Sequence, residues 1–222
     1  MKRVAAIFVL SVLFFSCKTE TKNEEKKVEK ELTILEKVAY AHGYENWKNV
    51  EEIQFSFNVD RDSSHFERNW TWKPKTNDVI LKTAQDTVSY NRANVDSLTT
   101  NADRGFINDK YWLLAPFNLI WDKGITHEYT EEAEAPIAKT TMHKLTIVYN
   151  NEGGYTPGDA YDFYFGDDYL LKEWVFRKGN APEPSLTTTW ENYEEHNGLK
   201  LATVYNRESG NWKLYFTNIQ VK

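Results

Sequence analysis

Four regimes of apolar and polar positions follow one another along the 222 residues. Residues 4–15 are apolar except for Ser11, with Lys2 and Arg3 just before them. Residues 18–30 are Lys, Glu, Thr and Asn with almost no apolar side chain. Residues 28–42 carry Leu32, Leu35, Val38, Ala39 and His42 at helical spacing, which predicts an amphipathic helix ended by Gly43. The period then becomes two. Ile53, Phe55, Phe57 and Val59 alternate with Gln54, Ser56, Asn58 and Asp60, the mark of a half-buried strand. After the turn residues 61–64, Phe66, Arg68, Trp70 and Trp72 share one strand face, and Pro74 ends that strand.

Further strands are predicted at 78–83, 87–91, 126–130, 141–149, 160–165, 170–178, 186–194, 200–206 and 211–221. Turn residues separate the later ones: 150–154, 166–168, 179–182, Asn197-Gly198 and Ser209-Gly210. A phase change between Phe216 and Ile219 predicts a bulge near Thr217-Asn218. Residues 94–123 break the β pattern. There, 108–117 suggests two short helices split near Pro116, because proline disrupts a helix interior. The expectation is a mainly β chain with some α: roughly ten strands in a curved antiparallel sheet, an incomplete β-barrel. The N-terminal helix and the short helical insert would cover its concave face.

Composition narrows the function classes. Net charge is −6, so no basic footprint for nucleic acid exists. Mean hydropathy of −0.66 excludes a protein with many membrane spans. One cysteine excludes a disulfide scaffold and a cysteine zinc site. His42, His65, His127, His143 and His196 show no metal-ligand spacing, and no serine sits in a nucleophile elbow. Thr156-Pro157-Gly158-Asp159 and Gly166-Asp167-Asp168 read as turns rather than as a catalytic aspartate or a calcium loop. No catalytic residue, metal site or cofactor is expected, and the protein is read as non-enzymatic.

The N-terminus supplies an address. About a dozen apolar residues after two positive charges are too few to span a bilayer and fit a signal-peptide core. Ser16-Cys17 resembles the lipobox of bacterial lipoproteins, with Phe14 where that motif usually has Leu. The resemblance implies a signal peptide over 1–16, acylation of Cys17, a tether over 17–27 and a folded domain over 28–222. An ordinary secretory signal with a stray cysteine is the alternative. Acyl chains on Cys17 would anchor the chain stably. Loss of Lys2 and Arg3 with the leader leaves 25 basic against 33 acidic residues, which anionic head groups repel.

Three stretches carry a wider resemblance: 41–47 (AHGYENW), 106–117 (FINDKYWLLAPF) and 155–165 (YTPGDAYDFYF) with Leu171-Lys172-Glu173-Trp174 after it. Together they resemble an uncharacterised branch of exported, lipobox-bearing Gram-negative proteins with the LolA/LolB-like lipoprotein fold. That resemblance implies a half-barrel plugged by helices that binds an acyl chain or lipid. It also implies an envelope location, lipid-anchored at the outer membrane facing the periplasm, with surface exposure as a variant. The expected partners are the bilayer and an apolar ligand, in a monomer. The candidate cavity lining is Phe55, Phe57, Arg68, Trp70, Trp72, Trp112, Phe117, Trp121, Phe163 and Trp174. Trp, Tyr and Phe make up 15% of the chain, and the other reading of this aromatic excess is a sealed core in a structural or protein-interaction lipoprotein.

Overall fold

A computed structural model describes residues 31–150 and 156–222. The predicted leader, Cys17, the tether and the turn at 151–154 lie outside the described residues. Residues 32–222 form one compact unit.

The first helix, α1 (Ile34–Ala41), opens with a capping box. Thr33 Oγ1 accepts from Glu36 N, and Glu36 Oε2 accepts from Thr33 N. His42 caps its C-terminus and Gly43 follows at φ 88°, the left-handed conformation expected of a residue in that place. Twelve strands then appear: β1 (Ile53–Arg61), β2 (Ser64–Lys73), β3 (Asp78–Lys82), β4 (Thr87–Asn91), β5 (Ile125–Glu134), β6 (Thr141–Tyr149), β7 (Ala160–Phe165), β8 (Leu171–Arg177), β9 (Leu186–Thr189), β10 (Glu191–His196), β11 (Leu199–Asn206) and β12 (Trp212–Val221). They make a seven-stranded sheet, β10-β11-β12-β1-β2-β3-β4, and a five-stranded one, β5-β6-β7-β8-β9. All pairings are antiparallel.

The single strand expected at 186–194 splits at Trp190. Before it, β9 pairs with β8; after it, β10 pairs with β11. Trp190 N still donates to Lys172 O at 2.7 Å, so the chain passes from one sheet to the other with little loss of pairing. The two far edges, β4 and β5, pair with no further strand among the described residues, and the barrel is open there. The bulge expected near Thr217-Asn218 is present: Ser56 pairs with Thr217 while Gln54 pairs with Gln220, and Asn218 sits at φ 55°.

The expected pair of short helices is one longer helix, α2 (Thr100–Trp121), which starts eight residues before the predicted insert. Its kink lies at Leu114 (φ −123°, ψ 17°), two residues before Pro116. Proline has no N–H to give the carbonyl four residues back. That carbonyl, on Trp112, accepts instead from Tyr205 Oη of β11 at 2.7 Å. A tertiary bond therefore replaces the lost helical one, and the helix bends without breaking. Fourteen of the 22 residues of α2 are buried on all sides, as suits a helix walled in by sheet rather than an amphipathic one lying on a surface. Among the described residues no helix is long and apolar enough to cross a membrane.

Expected outward positions on β1 differ from the half-buried pattern. Ser56 and Asn58 are buried because side chains of neighbouring strands cover them. Ser56 Oγ bonds Asn69 Oδ1 and accepts from Asn218 Nδ2, while Asn58 Nδ2 donates to Tyr215 O and Thr217 Oγ1.

Candidate functional site

The middle of α2 brings the two sheets together. Phe106 packs edge-on to Trp70 and Trp72 of β2, at centroid distances of 5.4 and 5.5 Å. One and a half turns on, Trp112 meets Trp174 of β8 at 4.4 Å and Tyr205 of β11 at 5.3 Å. Tyr111 lies between Tyr149 of β6 and Tyr161 of β7. The ten candidate lining residues divide accordingly. Phe55, Phe57, Trp70, Trp72, Phe117 and Phe163 are buried against other rings, and Trp121 is half-buried against Trp47 and Phe117. Trp112 and Trp174 are buried too, yet they also line a pocket of about 230 Å³ beside α2.

That pocket is walled by Tyr111 and Trp112 of α2, Tyr161 of β7, Trp174 and Phe176 of β8 and Leu186 of β9. Asn108, Thr156 and Asp159 add its polar groups. Thr156 Oγ1 donates to Tyr161 Oη at 3.3 Å, and Asp159 Oδ1 accepts from Gly179 N at 2.8 Å. The turn reading of 156–159 therefore stands, and the turn also shapes the pocket. Burial pushes the Tyr111 and Tyr161 hydroxyls well up from their ordinary pKa, so both remain neutral donors. Among the described residues the arrangement offers stacking faces, hydroxyl and amide groups and the Asp159 carboxylate, and no nucleophile is paired to a base there.

The tenth candidate, Arg68, is committed inside the protein. Its Nε and NH2 donate to Asp109 of α2 at 2.7 and 2.6 Å, and its guanidinium lies over Phe57 and Phe66. Asp109 is fully buried and also accepts from Trp70 Nε1 at 2.8 Å and from Asn108 Nδ2 at 3.0 Å. Burial raises the carboxyl's pKa from its ordinary value, and Arg68 with the other donors opposes that rise. Four donors make the carboxylate the form that satisfies this site. Gly105 makes the approach possible: a Cβ there would stand 2.7 Å from Arg68 NH1.

Lys110, the next residue, is buried with its ammonium 5.2 Å from the Trp72 ring and 5.1 Å from the Trp121 ring. Burial, with Arg92 adding to it, lowers its pKa to about 7. His42 is likewise buried, its Nδ1 2.8 Å from Val38 O and its Nε2 3.2 Å from Tyr193 Oη, and burial lowers its pKa to about 4. The other histidines are spread out. His65 meets Asp60, His143 meets Asp167 and Tyr129, and His196 meets Glu194. Among the described residues no three His, Cys, Asp or Glu side chains gather as a metal site would require.

With this geometry in view, the chain can be set beside known proteins. No family model and no curated protein matches it. Solved structures do resemble it. A LolA superfamily protein from Nitrosomonas europaea superposes with a TM-score of 0.49 at 11% identity, over 85% of this chain and 92% of that one. A DUF1329 family protein from Desulfovibrio piger gives 0.45 at 10%, over 84% and 92%. A domain from Vibrio parahaemolyticus named for outer membrane lipoprotein sorting gives 0.42 at 11%, over 85% and 93%.

The candidate lining includes Trp112 and Trp174 of this pocket but not Asn108, Tyr111, Thr156, Asp159, Tyr161, Phe176 or Leu186. Thr156 and Asp159 were absorbed into a turn. Leu186 was legible only as one inward position of a strand. Asp109 and Lys110 carried a signal that sequence reasoning did not use: charges in the middle of an apolar helical run point to burial with partners.

Proposed function

We propose that the protein is a non-catalytic, lipid-anchored envelope protein that binds a small apolar ligand in the aromatic pocket beside α2. The observation that carries this reading is the pocket itself: six apolar or aromatic walls, three polar side chains, and about 230 Å³ of space opening off a packed core. That volume lies below the ~300 Å³ at which sites for drug-sized ligands begin. It suits one end of an acyl chain or a single ring system rather than a whole lipid. The ligand is held by burial and stacking, and no described residue of the site is poised to cut it.

Cys17, placed after a short apolar leader, supports acylation and attachment to the bilayer. The outer membrane facing the periplasm is the location that goes with this reading, and the chain acts as a monomer. Native mass spectrometry of the purified mature protein tests the binding part. The expected result is a bound apolar molecule, or one taken up on incubation with short acyl chains. Cys17→Ser tests the anchor: labelled palmitate is expected to stop incorporating and the protein to leave the membrane fraction, and continued incorporation would rule the anchor out.

A second reading is favoured by a separate observation: eight of the ten candidate rings and side chains are buried in mutual packing. On that reading the core is sealed and the protein acts through a partner at its surface. A mature protein that carries and accepts no ligand would favour it.

A further inference from the structure

Asp159 brings the only formal charge among the described residues that line the pocket beside α2. Two bonds fix it there. Its N–H donates to Thr156 O at 3.1 Å, which closes the turn before β7, and its Oδ1 accepts from Gly179 N at 2.8 Å. Other acids of this region are matched by arginines: Arg68 holds Asp109 and Arg177 holds Asp162. Asp159 makes no ion pair among the described residues. It is half-buried and Asn108 is exposed, so these two stand at the solvent side of the pocket, while Trp112, Tyr161 and Trp174 are buried behind them.

Most of the remaining wall is aromatic: Tyr111, Trp112, Tyr161, Trp174 and Phe176. The faces of such rings attract cations, so rings and carboxylate favour the same sign of charge. Resting on the pocket as the ligand site, we infer that Asp159 selects a ligand with an apolar body and a positive end, an ammonium on a ring or short chain. The apolar body lies among Trp112, Trp174 and Phe176. The ammonium stays at the solvent side, where the Asp159 carboxylate accepts from it. Asn108 adds a second acceptor, since its Nδ2 donates to Asp109 and its carbonyl oxygen is left uncommitted. Part of the ammonium's hydration is kept there, which limits the cost of burying a charge. A carboxylate in the same place meets Asp159 as a like charge, so a free fatty acid is the poorer ligand.

Phenylbutylamine, butyrophenone and phenylbutyrate each carry one ring and a four-carbon chain and differ in charge: cation, neutral and anion near neutral pH. Titration of each into the folded mature protein is followed by calorimetry. The amine is expected to bind roughly five- to tenfold more tightly than butyrophenone, the worth of one charge-assisted hydrogen bond at a partly solvated site. Phenylbutyrate is expected to bind most weakly. Asp159→Asn, whose Oδ1 can still accept from Gly179 N, is expected to abolish the preference for the amine and leave butyrophenone affinity unchanged. Asp159→Ser serves the same purpose should the asparagine variant not fold. Asp167→Asn, beyond the other end of β7, is expected to keep the full preference, which separates Asp159 from the net negative charge of the chain. Equal affinity for amine and butyrophenone, a preference kept in the Asp159 variants, or an equal loss in Asp167→Asn overturns the charge inference while the pocket stands as a site. Failure of all three probes to bind overturns the ligand-binding reading on which it rests.

Discussion

Asp109 shows how one side chain can tie a helix to a sheet. It sits on α2 and draws Arg68 and Trp70, two residues apart on β2, to the same carboxylate. Asp109→Asn keeps the volume but removes the charge and turns an amide N–H toward existing donors. Breaking a buried pair costs ~3–5 kcal/mol, and the partial exposure of Arg68 places the expected loss near 3. Chemical denaturation checks this; a loss under 1 kcal/mol would show that the pair adds little. Lys110 and His42 make stability depend on pH. The Lys110 ammonium gives up its proton at about pH 7 in the folded protein and at 10.5 in its ordinary state, so the unfolded chain binds more protons in between. Stability therefore rises with pH above 7. His42 has the same sign lower down: stability is full above pH 6.5 and falls as pH drops toward 4, where the buried ring must gain its proton. Lys110→Met is expected to be more stable than the wild type at pH 7 and to lack the rise between pH 7 and 9. A rise of equal size in the variant would assign it to other groups.

At the scale of elements, α1 is held by its end as much as by its face. Gly43, at φ 88°, lies so close to the β10–β11 hairpin that a Cβ would fall 2.0 Å from Gly198 O. Asn46 Nδ2 donates to that same oxygen at 3.1 Å, and Lys200 N donates to His42 O at 2.9 Å. Gly43→Ala thus meets both a left-handed backbone and a backbone clash, with an expected cost of roughly 2–5 kcal/mol. Thermal melting reads it, and a shift of only a degree or two would mean that the hairpin moves aside freely. Most of these elements were legible from period and turn residues, since half-buried antiparallel strands alternate by construction. Gly43 as the helix-ending residue and the bulge at Asn218 were legible because each follows from a local backbone requirement. The length of α2 was not. A helix buried all round has no polar face to give it a period, and Pro116 suggested a break that Tyr205 repairs from 89 positions farther along the chain. The split at Trp190 was missed as well, although the inward phase shifts there, from Leu186, Thr188 and Trp190 to Tyr193, with Asn192 at φ 52° between them.

For the molecule as a whole, two antiparallel sheets that do not close into a barrel leave a space that something must fill, and here α2 and aromatic rings fill most of it. The aromatic excess could be read from composition, but whether the rings met each other or left a hollow could not, because packing depends on contacts between β2, β8, β11 and α2. What remains is a small pocket at one side of α2, and the account's central claim is that this pocket binds an apolar ligand. Leu186→Trp tests it most directly by filling the pocket from a half-buried wall position. Wild type and variant are titrated with aminoanthracene, a ring-sized fluorescent probe, after thermal melting confirms that both are folded. The account predicts saturable one-to-one emission from the wild type, displaced by butyrophenone and lost in Leu186→Trp. Absence of saturable emission from the wild type, or emission unchanged in the variant, would contradict it.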